Sequence, residues 1–150
     1  MSRSETLDRD VRAAIYRRFV DAGTAPSPGE IATELGVALP EVTTSLTRLA
    51  DAHVITMALG GSYIWMANPF SALPTNFVVR ATGTSWWGNC IWDALGILAA
   101  LRTEGSVSTW CPDCGDALEV RIEGGRASSE ADTVHFSVPA AQWWDDIGYT

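Results

Sequence analysis

Cys90 and Asp93 lie three residues apart in the stretch Trp86-Trp87-Gly88-Asn89-Cys90-Ile91-Trp92-Asp93, directly before the apolar run from Ala94 to Leu101. Positions i and i+3 share one face of a helix, so a thiol and a carboxyl can converge there on one small ligand. Asn89 is the expected N-cap, which puts Cys90 and Asp93 in the first turn, where free backbone N–H groups and the macrodipole favour negative charge. A thiol in that position is expected to ionise more readily than a free one. The plainer alternative is that the cysteine packs as a small hydrophobe and the aspartate answers the helix dipole.

A second pair, Cys111 and Cys114, stands in Trp110-Cys111-Pro112-Asp113-Cys114-Gly115. A thioredoxin-type redox motif needs a long helix after the cysteines, whereas the residues that follow, Leu118 to Ile122, alternate as a strand does. A tight Cys-Pro-x-Cys-Gly turn between strands suits a zinc knuckle, which supplies two of the four ligands of a tetrahedral site. Cys90, His53 and His135 are the remaining candidates for such a site, and support of the Cys90 site by a soft thiolate is another use of the pair. His135 is read as packed or solvent-facing, and His53 as a dipole partner at the end of the third helix.

The elements that must position these groups follow from the patterning. Leu7, Val11, Ala14, Ile15, Phe19 and Val20 recur at helical spacing up to Gly23. Ser27, Pro28 and Glu30 form a capping box with proline at N1 for a second helix ending at Gly36, and a third helix runs from Pro40 to Ala52. Val54–Leu59 and Ser62–Met66 read as two strands joined at Gly60-Gly61. Three helices and a hairpin in this order predict a winged-helix-like N-terminal domain over 1–67.

From 68 to 150 a second part is expected. It holds an edge or hairpin strand over Phe77–Ala81, the Cys90 helix ending near Arg102 with Gly105 closing it, and strands over 107–110, 118–122 and 133–138. A further helix is expected from Pro139. The Cys90 helix is apolar around nearly its whole circumference, as a central buried helix would be. The fold class is therefore α+β: a winged-helix-like three-helix domain with a β-hairpin, then a small mixed sheet packed on a central buried helix.

Composition limits the function. Of 150 residues, 47% are hydrophobic and 19% charged, and the formal charge is −8. Residues 1–70 carry six arginines against eight acids and residues 71–150 four against ten, so the halves stand at −2 and −6. Neither offers the basic footprint of a nucleic-acid binder, and Arg48 is the only basic residue of the third helix. No membrane span or signal-peptide core is evident, so a cytoplasmic protein is expected. Three cysteines argue against a disulfide framework.

Asn68-Pro69-Phe70-Ser71-Ala72-Leu73-Pro74-Thr75, Phe77-Val78-Val79 and Trp87-Gly88-Asn89-Cys90-Ile91-Trp92-Asp93-Ala94-Leu95 together resemble the core of the organomercurial (alkylmercury) lyase family. The similarity continues in Cys111-Pro112-Asp113-Cys114-Gly115 and Val134-His135-Phe136-Ser137-Val138-Pro139. The resemblance implies protonolysis of a carbon–mercury bond, giving hydrocarbon and Hg(II). Cys90 matches the capturing thiolate and Asp93 the proton-handling carboxyl. It also implies an organomercurial as small-molecule partner together with cytosolic thiols, and Hg(II) as product ligand with no required cofactor. The family's N-terminal part is itself winged-helix-like.

Trp87 and Trp92, with Trp86, are candidate walls of the substrate pocket, and Cys111 and Cys114 are candidate ligands of mercury or zinc. The family's second catalytic cysteine lies after the segment that 134–149 resemble, and here no cysteine follows Cys114. Three expectations stand side by side: a relative without its terminal strand, a substitute in Cys111 or Cys114, or a fold that no longer performs the reaction. An aromatic C-terminal segment adds the expectation of a homodimer. The alternative of another class is a non-catalytic winged-helix regulator that responds to metal or thiol.

Overall fold

The computed structural model describes residues 2–128 and 133–148. Helix α1 spans Arg3–Ala22, α2 Pro28–Leu35 and α3 Leu39–Asp51. Ser2 and Ser27 each close a capping box with the glutamate three residues on, and Gly23 and Gly36 end their helices in the left-handed region. The Ser27-Pro28-Glu30 start is the one expected; α1 begins earlier than Leu7 because Ser2 caps it. The three helices bury Val11, Ile15, Phe19, Ile31, Val42 and Leu46 against one another. At roughly 1.5–3 kcal/mol for each large apolar side chain fully removed from water, this cluster is the main stabilising term of the N-terminal part.

Arg48 points back to α1, where its guanidinium donates to both carboxylate oxygens of Asp8 and Ser45 donates to the same carboxylate. The hydrogen bond from Arg48 holds the Asp8 carboxyl below its ordinary range against the opposing effect of burial.

Eight strands follow: β1 Thr56–Met57, β2 Ile64–Ala67, β3 Phe70–Ser71, β4 Val78–Ala81, β5 Thr84–Gly88, β6 Gly105–Trp110, β7 Ala117–Glu123 and β8 Arg126–Ala127. They form one sheet in the order β1-β2-β3-β5-β4-β6-β7-β8. The sheet expected to be mixed is antiparallel at every pairing described. The physical reason lies in the links, most of which are short turns, and short turns join antiparallel neighbours. β4 does form a hairpin with β5 through Thr82-Gly83, both at positive φ. It is not an edge, because β6 pairs along its other side.

Helix α4, Ile91–Leu101, packs on β3, β4, β5 and β6 through Ala94, Ile97 and Leu98, while Trp92, Ala99 and Ala100 face outward. Its C-cap is Arg102 in the left-handed region, not Gly105. Gly105 instead opens β6, where an added Cβ would lie 2.5 Å from the Arg80 carbonyl oxygen. No helix among the described residues is long and apolar enough to cross a membrane.

The strand expected over 133–138 does not form. Alternation alone cannot make a strand without a neighbour to complete its ladder, and this segment pairs with none among the described residues. It runs instead into a six-residue 3₁₀ helix, Ala140–Asp145, at the place where a helix was expected after Pro139. The segment is tied down by its aromatics: Phe136 packs on Trp143 at 5.3 Å and Trp144 stacks on His53 at 4.1 Å. Tyr149 and Thr150 lie outside the described residues.

Candidate functional site

Gly88 ends β5, and an added Cβ there would lie 2.6 Å from the Ala94 nitrogen and 2.7 Å from its Cα. Only glycine lets the strand end sit this close to the first turn of α4, and so brings Cys90 and Asp93 over the sheet. Cys90 is the N-cap of α4, in place of the expected Asn89, and its sulfur accepts from the Asp93 backbone N–H at 3.5 Å. The extended backbone at Cys90 (φ −144°) gives it the non-helical conformation of a cap.

Asn89 takes another part. Its Nδ2 donates to the Asp93 carboxylate and to Asn68 Oδ1, both at 3.0 Å. Asn68 is in turn fixed by Tyr16, whose hydroxyl donates to the Asn68 carbonyl at 2.9 Å, and it precedes a cis peptide to Pro69. The chain Tyr16–Asn68–Asn89–Asp93 therefore links α1 to the head of α4.

Burial pushes the Asp93 carboxyl above its ordinary range, and the Asn89 and Cys90 hydrogen bonds oppose the shift without cancelling it. Burial also pushes the Cys90 thiol up; the Asp93 amide pulls it down, and the Asp93 charge adds to the rise. The expected easy ionisation is thus reversed. Desolvation and a neighbouring carboxylate outweigh the helix terminus.

A small cleft of about 60 Å³ opens beside these groups, lined by Met66, Asn68, Asn89, Cys90 and Asp93 and closed by Phe136, Trp143 and Ile147. Asn68, Met66 and the aromatic closure were not read from the sequence. Phe136 and Trp143 come from a segment more than forty residues downstream, and only the hydrogen-bonding capacity of Asn68 and Asn89 beside the Cys-x-x-Asp could have signalled the amide pair.

The tryptophans chosen from sequence stand elsewhere. Trp86 is buried, and its indole N–H donates to the Phe19 carbonyl at 2.7 Å. Trp87 sits in the sheet opposite Ser71 and Val78, outside the lining of the cleft. Trp92 is 63% exposed and lines a neighbouring groove with Phe136, Pro139 and Trp143.

Cys111 and Cys114 form the turn between β6 and β7, the first half-buried and the second exposed. His53 stacks on Trp144 and His135 is exposed. No cluster of three or more His, Cys, Asp or Glu is placed to hold a metal among the described residues.

Three helices, an antiparallel sheet and a thiol–carboxyl pair at the head of a packed helix define an α+β protein with a small, largely apolar cleft beside that pair. Residues 70–150 match the alkylmercury lyase (MerB) family, more than half of the sequence, and the chain belongs to that family. A solved structure, the mercury-bound form of MerB2, superposes with a TM-score of 0.65 at 20% identity. The match covers 84% of this chain and 64% of that one, and at this identity it speaks for the fold. No curated protein matches the sequence.

Proposed function

We propose that the chain cleaves carbon–mercury bonds by protonolysis, with Cys90 as the mercury ligand and Asp93 as the proton donor. The observation that carries this reading is the pairing of Cys90 with an Asp93 held above its ordinary pKa in one cleft. A carbanion-like leaving group needs a proton at the moment the bond breaks, and a desolvated carboxyl retains one toward neutral pH.

The steps balance. The Cys90 thiol loses its proton to solvent as sulfur binds R–Hg⁺, giving Cys90–S–Hg–R. A second thiolate, drawn from small cytosolic thiols, adds to mercury and weakens the carbon–mercury bond. Asp93 transfers its proton to carbon, R–H leaves, and Hg(II) remains on sulfur with Asp93 as carboxylate. The Phe136–Trp143 closure limits water around the carboxyl, which preserves its proton for carbon.

The regulator reading gains nothing from α3, because the guanidinium of Arg48 is engaged by Asp8. The test is release of hydrocarbon and Hg(II) from a methyl- or phenylmercury compound in excess monothiol. Cys90→Ser should lose turnover, and Asp93→Asn should lose about 10²–10⁴-fold while still binding mercury. Full turnover in both variants would overturn the assignment.

A further inference from the structure

We infer that Cys111 and Cys114 form a second, separate mercury site: a two-thiolate chelate at the β6–β7 turn that takes Hg(II). The choice of cation rests on the lyase reading above; the two-sulfur geometry does not.

The turn is built for a chelate. Gly115 N–H donates to the Cys111 carbonyl at 2.9 Å and Cys111 N–H to the Asp116 carbonyl at 2.8 Å, with Gly115 at φ +76°. This closes the loop and brings the Cys114 thiol to the Cys111 sulfur. Exposure of Cys114 leaves an approach from solvent.

Ligand count selects the metal. A structural zinc needs four ligands, and the described residues offer no third His, Cys, Asp or Glu placed for it. Hg(II) is soft and is satisfied by two thiolates. Binding is balanced as loss of two S–H protons to solvent and formation of two S–Hg bonds, with no change of oxidation state.

Register places the turn where a released ion would meet it. Val78 on β4 pairs with Trp87 of β5 on one side and Ser108 of β6 on the other. Trp87 and Ser108 are therefore level, and three residues further along each strand come Cys90 and Cys111. Both segments leave the sheet at the same end, from strands that lie two spacings or about 10 Å apart. Neither Cys111 nor Cys114 lines the Cys90 cleft, and the three cysteines form no common cluster among the described residues, which makes the pair a distinct site.

The test uses the full chain in a Cys90→Ser background with mercury(II) chloride alone, so that no carbon–mercury cleavage is required. Retention of one equivalent against a monothiol competitor is expected. Adding Cys111→Ser or Cys114→Ser singly should weaken retention about 100-fold, as far as both together, because a chelate is lost when either arm goes. Single variants that keep half the retention, one Hg(II) bridging two chains, or stronger retention of zinc(II) than of mercury(II) would overturn the site. Chelation in a chain without organomercurial turnover would leave this site standing and remove only the lyase reading.

Discussion

Asn89 Nδ2 lies 3.0 Å from Asp93 Oδ2 and donates to it, while the Oδ1 of the same Asn89 amide is buried without a hydrogen-bond partner among the described residues. The amide therefore stabilises Asp93 as carboxylate in this arrangement. Its nitrogen opposes the upward shift that burial imposes on the carboxyl.

Asn89→Ala should raise the Asp93 pKa further, since the donor that favours the charged form is gone. In the proposed reaction Asp93 must be protonated, so turnover falls as pH rises through its folded value. The alkaline limb of the kcat profile should move to higher pH in Asn89→Ala, whereas a purely structural role would lower kcat at every pH alike. An unmoved limb would remove Asn89 as the group that tunes Asp93.

Asp93 also links pH to stability. Its folded pKa is raised, so its contribution is fully present below the ordinary carboxylate value and is lost as pH rises through the folded value. Asp93→Asn escapes that loss while keeping the shape and an acceptor for Asn89. At neutral pH the variant should melt roughly 2–4 °C higher, about 1 kcal/mol for a chain of this size, and the gain should vanish in acid. Thermal melts of both proteins from acid to neutral pH decide it; a difference that does not change with pH would contradict the burial of this carboxyl.

Gly88→Ala should force the first turn of α4 away from β5, because the new Cβ would overlap the Ala94 backbone. Overpacking of this kind destabilises by about 1–3 kcal/mol. Turnover should fall more steeply than stability, since the displaced turn carries Cys90 and Asp93. Denaturant melts beside activity at a temperature where the variant is folded would separate the two, and an unchanged kcat would show that the close approach does not position the pair.

Trp86→Phe tests how the N-terminal helices are held to the sheet. It removes the indole donor to Phe19 O, which retains the Gly23 N–H as a second donor at 2.8 Å, and leaves a small void. A loss of about 1–3 kcal/mol is expected in equilibrium unfolding, with turnover in the folded protein little changed. A loss of turnover without a loss of stability would place Trp86 in the site after all.

Local chemistry alone determined the helix starts at Ser27 and Pro28, the turns at Gly60-Gly61 and Thr82-Gly83, and the strands β6 and β7. Each depends on residues within a few positions of one another, and their side chains, caps and φ values act at that range. Cys90 and Asp93 were legible for the same reason, being one turn apart. The strand expected over 133–138 was not decided by its alternation, because a ladder needs a partner that only the folded sheet could provide.

Tertiary structure also decided which tryptophan is core and which is surface, and brought Asn68, Phe136 and Trp143 to the cleft from distant parts of the chain. Above all it set the charge state of the site. Position at a helix start favours a thiolate at Cys90, but the sheet beneath and the aromatic segment above remove water from it. Desolvation depends on the whole fold and is stronger here than the dipole of one helix end.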